Sequence, residues 1–154
     1  MQVLKFLHIV MMFGAVTLVF GSIVFLDVVG RTRDVNTYRR LDAIVQRTDM
    51  VAVVLFVGGI VFGFLTALAG GFDLTAGWLV LAYILVAGLF VEGFLFTIPW
   101  YGRIREAANG SDEARAATEV ERLLRSRHHA LLVTITALLW VAVVFVMVVK
   151  PDPF

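Results

Sequence analysis

Asp27, Glu92, His128 and His129 are ionisable residues inside or beside long apolar runs of this sequence. Ionisable groups in the interior of a membrane are protonated, paired or exposed to a wet cavity, and they are candidates for function. At the rise of an α-helix, Glu92 lies roughly 24 Å along its apolar run from Ala76, close to the membrane face where the other three are expected. The four can therefore form an intramembrane polar cluster, with Glu92 pointing into the bundle. Such a cluster would either set helix register or carry protons or substrate.

A second set of residues could bind a metal or haem near the opposite face. His8 and Met12 are one helical turn apart, Met11 lies beside them, and Met147 belongs to the last apolar run. Imidazole and thioether together suit Cu(I), and His with Met also suits haem iron. His8 and Met12 are therefore candidate cofactor ligands, and all four are candidate metal ligands. The alternative is that His8 is an interfacial hydrogen-bonding group and the methionines fill the core.

The position of the histidines limits how haem b could be held. His8 and the pair His128 and His129 are expected near opposite faces of a hydrocarbon core that is about 30 Å thick. They cannot be the two axial ligands of one haem in a single chain. A haem bound by His8 would need a methionine, water or His8 of a second subunit on its other side.

Common catalytic motifs are missing from the sequence. It contains no G-x-S-x-G, no glycine-rich loop with a Walker lysine, no H-E-x-x-H and no G-x-G-x-x-G, and it has no cysteine. These absences disfavour hydrolase and nucleotide chemistry and exclude disulfides and thiolate sites. The residues are compatible with both an enzymatic and a non-enzymatic role.

Long apolar helices must position these residues. The chain has 154 residues, of which 60% are hydrophobic and 16% charged, which predicts an all-α membrane protein, an antiparallel four-helix transmembrane bundle in one domain (1–154). The four spans are expected at about 6–29, 50–71, 76–100 and 130–149, the first being a retained helix and not a cleaved signal. Residues 30–49 are expected to be a polar loop with some helical content, and residues 72–75 a tight turn. In residues 101–129, Asn109–Ser111 should form a turn and Ala114–Arg127 a helix that can run straight into the fourth span.

Arginine is concentrated in the two long polar segments. Eleven of the 13 Lys and Arg residues lie there, whereas Lys5 and Lys150 are expected at the other face. The positive-inside rule places the Arg-rich segments in the cytoplasm and both termini outside, in the inner (plasma) membrane. Because the formal net charge is only +1, nucleic acid is not an expected partner. The lipid bilayer is, together with a membrane protein or further copies of the chain.

Small residues form a stripe along the second span. Gly59, Gly63, Ala67 and Gly71 recur every four residues, which allows close approach of another helix. We therefore expect Gly63 to face a helix and not lipid. The other interpretation is a groove for a flat cofactor or a lipid tail.

The opening Leu4-Lys5-Phe6-Leu7-His8-Ile9, followed by a glycine-bearing apolar span, resembles the start of copper-resistance D proteins and of the membrane-helical protoporphyrinogen oxidases. Over the whole chain, the four spans and the spacing of the Arg-rich loops resemble a family of bacterial integral membrane proteins of unknown function, domain of unknown function 2269. The first likeness implies a haem or copper role for His8. The second implies four spans.

Three functions follow as hypotheses. The first is a non-catalytic accessory or scaffold subunit, whose Arg-rich loops contact a partner or anionic lipid. The second is a haem- or copper-binding redox protein that uses His8. The third is a small proton-linked transporter centred on Glu92.

Overall fold

A computed structural model describes residues 1–151 of the chain. Its helices are α1 (Gln2–Gly30), α2 (Val35–Ala69), α3 (Gly77–Glu92), α4 (Ile98–Ala108), α5 (Glu113–Leu124) and α6 (Arg127–Val149), and a π-helical turn (Gly93–Thr97) joins α3 to α4. Residues 1–151 contain no β-strand. The predicted all-α membrane fold is therefore confirmed.

Four helical stretches are long and apolar enough to cross a membrane: Gln2–Gly30, Val35–Ala69, Gly77–Ala108 and Arg127–Val149. Only 17% to 28% of their most apolar windows is buried inside the protein, so the remaining apolar surface needs lipid as its solvent. The Lys150 ammonium lies 5.0 Å from the centre of the Phe72 ring, which places the end of α6 beside the turn between α2 and α3. This arrangement agrees with an antiparallel bundle. We call this end of the molecule the terminal end.

Within the bundle, α1 packs most closely on α2, and α3 packs on α6. The two pairs meet in a small apolar core around Leu89 of α3 and Trp140 and Val143 of α6. Phe56 of α2 contacts the Trp140 ring edge to face, with ring centres 5.1 Å apart. Aromatic packing thus joins the α1–α2 pair to the α3–α6 pair.

The opposite end, which carries both arginine-rich segments, is called the Arg-rich end. The expectation of a polar loop over residues 30–49 is wrong for most of that segment, because only residues 31–34 separate α1 from α2. The Asp34 carboxylate accepts a hydrogen bond from the Thr37 backbone N–H at 2.9 Å and so caps α2. From this cap, α2 continues as one helix into the apolar span.

The second arginine-rich segment forms a helical hairpin. α4 extends to Ala108, the predicted turn at Asn109–Ser111 is confirmed, and Asp112 caps α5 by accepting a hydrogen bond from the Arg115 backbone N–H at 3.1 Å. The expectation that this helix runs straight into the fourth span is wrong. α5 ends at Leu124, and the Ser126 hydroxyl caps a new helix, α6, by accepting from the His129 N–H at 3.2 Å.

α5 closes the Arg-rich end. Its apolar face is buried against α1, α2 and α4, where Tyr38, Ile104, Val120 and Leu124 form the centre of a second core. Leu124 lies directly over Gly30, where an added Cβ would be 2.2 Å from the leucine Cδ1. A side chain at residue 30 would therefore force the Leu124 side chain to move.

The π-helical turn has a cause in the sequence. Pro99 has no N–H to donate to the carbonyl four residues earlier, and its ring would collide with that carbonyl in a regular α-helix. The turn at Gly93–Thr97 widens the helix directly before this proline. It begins immediately after Glu92.

Candidate functional site

Glu92 is buried near the Arg-rich end of the bundle. It is the last residue of α3 and is 7% exposed. The Thr97 hydroxyl, at the end of the π-helical turn, donates a hydrogen bond to Glu92 Oε1 at 2.5 Å. The other carboxylate oxygen, Oε2, has no hydrogen-bond partner among residues 1–151. Oε2 is not one of the buried side-chain atoms that lack a partner, which are Asp27 Oδ1 and the hydroxyl groups of Tyr38 and Tyr101, so it reaches the surface of the bundle.

Glu92 lines a groove between α3 and α6, which we call the α3–α6 groove. The groove measures about 370 Å³. Its walls are formed by Gly88, Val91, Glu92, Phe96, His128, Leu131, Leu132, Ile135 and Leu139. Glu92 and His128 are the two ionisable residues among them. The groove is thus an apolar channel along the bundle surface with polar groups towards its Arg-rich end.

Asp27 lies against the buried side chain of His129, away from the groove. The Trp100 indole N–H points to His129 Nδ1 at 3.3 Å, so Nδ1 is the acceptor and the ring proton resides on Nε2. His129 Nε2 lies 3.3 Å from Asp27 Oδ1, and Arg31 pairs with the other oxygen of Asp27 at 2.6 Å. Trp100, His129, Asp27 and Arg31 are therefore neighbours where α4, α6 and α1 meet, although Asp27 Oδ1 accepts no hydrogen bond from His129.

The predicted polar cluster is consequently divided between two places. Glu92 and His128 line the α3–α6 groove, whereas Asp27 and His129 contact each other inside the bundle. Trp100 lies between the two groups, because it reaches His129 through its N–H and packs its ring 4.4 Å from the ring of His128. The Trp100 side chain thus separates the groove from Asp27, which is partly buried.

Ion pairs between different helices hold the Arg-rich end together. Asp42 is 5% exposed and accepts two hydrogen bonds from Arg105, at 2.7 Å from Nε and 3.1 Å from Nη2, which joins α2 to α4. Arg39 donates to the carbonyl oxygens of Ala108, at 2.6 Å, and Gly110, at 2.9 Å, and so satisfies the end of α4. These bonds make the α2 extension and the α4–α5 hairpin a single unit.

Glu121 of α5 is the second bridge at this end. It pairs with Arg33, in the segment between α1 and α2, and with Arg125 at 3.0 Å. The hydrogen bond from the Arg33 guanidinium, with the charge of Arg125, lowers the pKa of Glu121 below its ordinary value of 4.5. The charged carboxylate therefore favours docking of α5.

We expect α5 to loosen in acid. Since the pKa of Glu121 is lower in the folded state than in the unfolded chain, the stability it contributes is present above pH 4.5 and is lost as pH falls through its folded-state pKa. A cysteine at Val120, which is 2% exposed, should become more reactive to a small thiol reagent as pH falls below this range, with rates corrected for thiol ionisation. In Glu121→Gln the same cysteine should be more reactive already at neutral pH. Equal pH profiles in the two backgrounds would contradict this assignment.

At the terminal end, His8, Met11 and Met12 pack against the glycines of α2. His8 Nδ1 lies 2.7 Å from the carbonyl oxygen of Gly59 and donates a hydrogen bond to it. A Cβ on Gly63 would be 2.8 Å from the His8 ring, which confirms that Gly63 faces a helix and not lipid. The glycine stripe and His8 are thus two sides of the α1–α2 contact.

The two methionines occupy neighbouring positions on the same stripe. A Cβ on Gly58 would be 2.9 Å from the sulfur of Met11, and one on Gly59 would be 2.6 Å from that of Met12. All three side chains therefore pack on the glycines of α2, and both His8 and Met12 contact Gly59. Residues 1–151 also contain no group of three or more His, Cys, Asp or Glu placed to hold a metal. The structure gives the copper and haem hypotheses no support.

Met147 lies elsewhere on the terminal half of the molecule. It packs against the apolar core around Trp140 and Val143. Met12 also contacts this core, so both methionines fill space between the helix pairs.

Sequence reasoning missed Asp42, Arg105 and Trp100 as organising residues. A signal for Asp42 was present, because the buried positions Val35, Tyr38, Asp42 and Val45 are three or four residues apart. That spacing indicates a helix with Asp42 on its buried face, and a buried carboxylate needs a cation as partner. No comparable pattern identifies Trp100, whose role depends on how α4 meets α6.

The chain belongs to the family described as predicted integral membrane protein (DUF2269), whose model matches residues 2–151. The comparison with curated proteins and the comparison with solved structures each find no match.

Proposed function

We propose that the protein is a non-catalytic accessory or scaffold subunit of the plasma membrane. The observation that supports this proposal is that charged side chains at the Arg-rich end form ion pairs with one another. Asp42, Arg105, Glu121 and Arg33 pair with one another across α2, α4, α5 and the segment before α2. Ionisable groups used in this way stabilise a rigid surface and do not converge on a reaction centre.

The same end also carries cations that are available to a partner. Arg40, Arg47, Arg103, Arg115 and Arg127 are exposed and make no ion pair or side-chain hydrogen bond with any of residues 1–151. Exposed arginines on a rigid support recognise carboxylate-bearing protein surfaces well, because the guanidinium group binds carboxylates with two hydrogen bonds. We therefore assign to this surface a membrane-protein partner with an acidic cytoplasmic segment.

Purification from the native membrane tests the proposal. The tagged wild type should retain one partner at constant stoichiometry, and a triple variant Arg40→Gln, Arg47→Gln and Arg103→Gln should lose at least nine-tenths of it. Arg122→Gln is the matched control, because Arg122 is exposed but already pairs with Glu119 of its own helix. Equal partner recovery from the triple variant would contradict the proposal. So would stoichiometric haem or copper in the purified protein, or proton flux through it in liposomes.

The proposal requires the Arg-rich end to lie in the cytoplasm, as the positive-inside rule predicts. The natural chain has no cysteine, so single cysteines report accessibility without background. Ser111 lies in the α4–α5 turn and Thr75 in the α2–α3 turn, and both are exposed. In intact cells an impermeant maleimide should label Thr75→Cys and leave Ser111→Cys unlabelled until the cells are opened. The reverse pattern would invert the orientation.

A further inference from the structure

The buried side chain of His129 lies between a hydrogen-bond donor and a carboxylate. It is 4% exposed, and its ring lies where α6 meets α4 and α1. The Trp100 indole N–H, whose nitrogen is 3.3 Å from Nδ1, can only donate, so Nδ1 carries no proton and the ring is neutral in this arrangement. Nε2 lies 3.3 Å from Asp27 Oδ1 without forming a hydrogen bond to it. The two ring nitrogens therefore face partners of opposite kind.

Asp27 has an unused acceptor on the side of His129. Its Oδ2 pairs with Arg31 at 2.6 Å, and this guanidinium group favours the charged carboxylate. Oδ1 is buried and accepts no hydrogen bond from any of residues 1–151. A buried carboxylate oxygen that lacks a donor is costly. A positive charge on His129 would supply both the donor and the opposite charge that Oδ1 lacks.

A proton added to His129 would change its contacts with Trp100 and Asp27 in opposite directions. An imidazolium ring donates from both nitrogens and accepts at neither. Its Nδ1–H would face the indole N–H with the two nitrogens 3.3 Å apart, and turning the ring over would not help because the other nitrogen also donates. Trp100 must then give up this hydrogen bond, whereas the contact with Asp27 becomes an ion pair. The same proton therefore weakens the α4–α6 contact and strengthens the α1–α6 contact.

Charged and titratable groups on three helices act on such a proton. Asp27 of α1 favours it, whereas Arg31, which follows α1, and His128, the neighbour of His129 on α6, oppose it through like charge. The Tyr101 ring of α4 lies 6.0 Å from the His129 ring, and a phenol is uncharged near neutral pH. Charges on the other helices have other contacts: Glu92 of α3 lines the α3–α6 groove, Glu121 of α5 pairs with Arg33 and Arg125, and Asp42 of α2 pairs with Arg105.

We propose that protonation of His129 transfers this side chain from Trp100 to Asp27 and so releases α4 from α6 in acid. The side chains of Asp27 and Arg31 are 21% and 46% exposed, so water reaches the acceptor side of the contact at the Arg-rich end. Release of Trp100 frees the beginning of α4, the helix that carries the exposed Arg103. The contact is therefore a pH-sensitive device that acts on the surface at the Arg-rich end.

The experiment is NMR spectroscopy of the isotope-labelled full chain in detergent micelles, in which the exchange of each indole N–H with water is measured from about pH 7.5 to about pH 5. Trp140 is the internal reference, because it is as buried as Trp100, at 6% against 7%, and belongs to the core between the helix pairs. Exchange at Trp100 relative to Trp140 should rise about tenfold or more, the change expected for the loss of one hydrogen bond. The chemical shifts of the His129 ring nitrogens should report protonation over the same interval.

Three variants locate the proton. His129→Asn offers an amide oxygen as acceptor for Trp100 but cannot be protonated, so the relative exchange rate should stay constant with pH. Asp27→Asn removes the charge that favours the imidazolium ring, so the rise should move about one pH unit or more towards acid. His128→Asn is the control, because His128 is exposed and packs its ring 4.4 Å from that of Trp100, and this variant should keep the rise.

The proposal would be overturned if His129 stayed neutral over the whole range, if it took up a proton without faster exchange at Trp100, or if the rise persisted in His129→Asn. Loss of the rise in His128→Asn would assign the effect to that residue and would equally overturn it. Because the ring shifts report His129 in the wild type, the test stays decisive should His129→Asn fail to fold. The range lies above pH 4.5, where the Glu121 pairs remain intact, and the isolated chain needs no partner, so the result is independent of the proposed function.

Discussion

Replacing Arg105 with methionine should lower the free energy of unfolding by about 2 kcal/mol, because it leaves the buried carboxylate of Asp42 without its cation, a cost that solvent at the 37% exposed Arg105 side reduces. The carboxylate of Asp42 would remain 95% buried between α2 and α4 after losing both hydrogen bonds from the guanidinium group. Only Gln46 would still donate to it, at 2.9 Å. The measurement is denaturant unfolding in detergent micelles, followed by helical circular dichroism.

A second variant separates the lost pair from lost packing. In the double variant Asp42→Asn with Arg105→Met, no charge is buried. Burying the asparagine amide without a full set of hydrogen bonds costs less than burying the carboxylate, so stability should partly recover relative to Arg105→Met alone. Arg122→Met removes an arginine from the exposed pair with Glu119 and should change stability by less than about 1 kcal/mol. If Arg105→Met behaved like Arg122→Met, the Asp42–Arg105 pair would not organise the Arg-rich end.

The spans could be predicted from the sequence because lipid imposes a simple requirement. A crossing helix needs about 20 apolar residues, and a run of that length remains visible whatever its neighbours do. The runs around Phe6–Val29 and Ala130–Val149 therefore coincide with α1 and α6. Residues 35–49 lack such a run. Only the spacing of Tyr38, Asp42 and Val45, which are three or four residues apart, indicates a helix there, and this is a weaker signal than an apolar run.

The candidate site could be predicted in part for the same reason. The depth of Glu92 follows from its place in an apolar run, and its burial follows from the cost of exposing a carboxyl group to lipid. Which polar groups meet depends on helix rotation, and the sequence does not determine that directly. His128 and His129 are neighbours about 100° apart on α6, so a modest rotation decides which of them faces Asp27 and which lines the α3–α6 groove.

A substitution in the glycine stripe on α2 should also lower the stability of the protein strongly. Gly63→Leu should lower the free energy of unfolding by about 1–3 kcal/mol, because the new side chain occupies the space of the His8 ring, 2.8 Å from an added Cβ. His8 would have to leave the Gly59 carbonyl, to which it donates at 2.7 Å, and α1 would have to move away from α2. This loss should occur although leucine is intrinsically the better helix former by somewhat less than about 1 kcal/mol.

Two comparisons identify packing as the cause. Gly21→Leu makes the same substitution on α1 where an added Cβ meets nothing within 4 Å, and it should leave the unfolding curve unchanged or shift it towards higher stability. His8→Ala removes the obstructing ring, so the double variant His8→Ala with Gly63→Leu should be less destabilised than the sum of the two single variants. Additive effects would mean that leucine at residue 63 is accommodated away from His8. If Gly21→Leu destabilised the protein as much as Gly63→Leu does, any added side chain would disturb the bundle. The effect of Gly63→Leu could then not be attributed to the close α1–α2 contact.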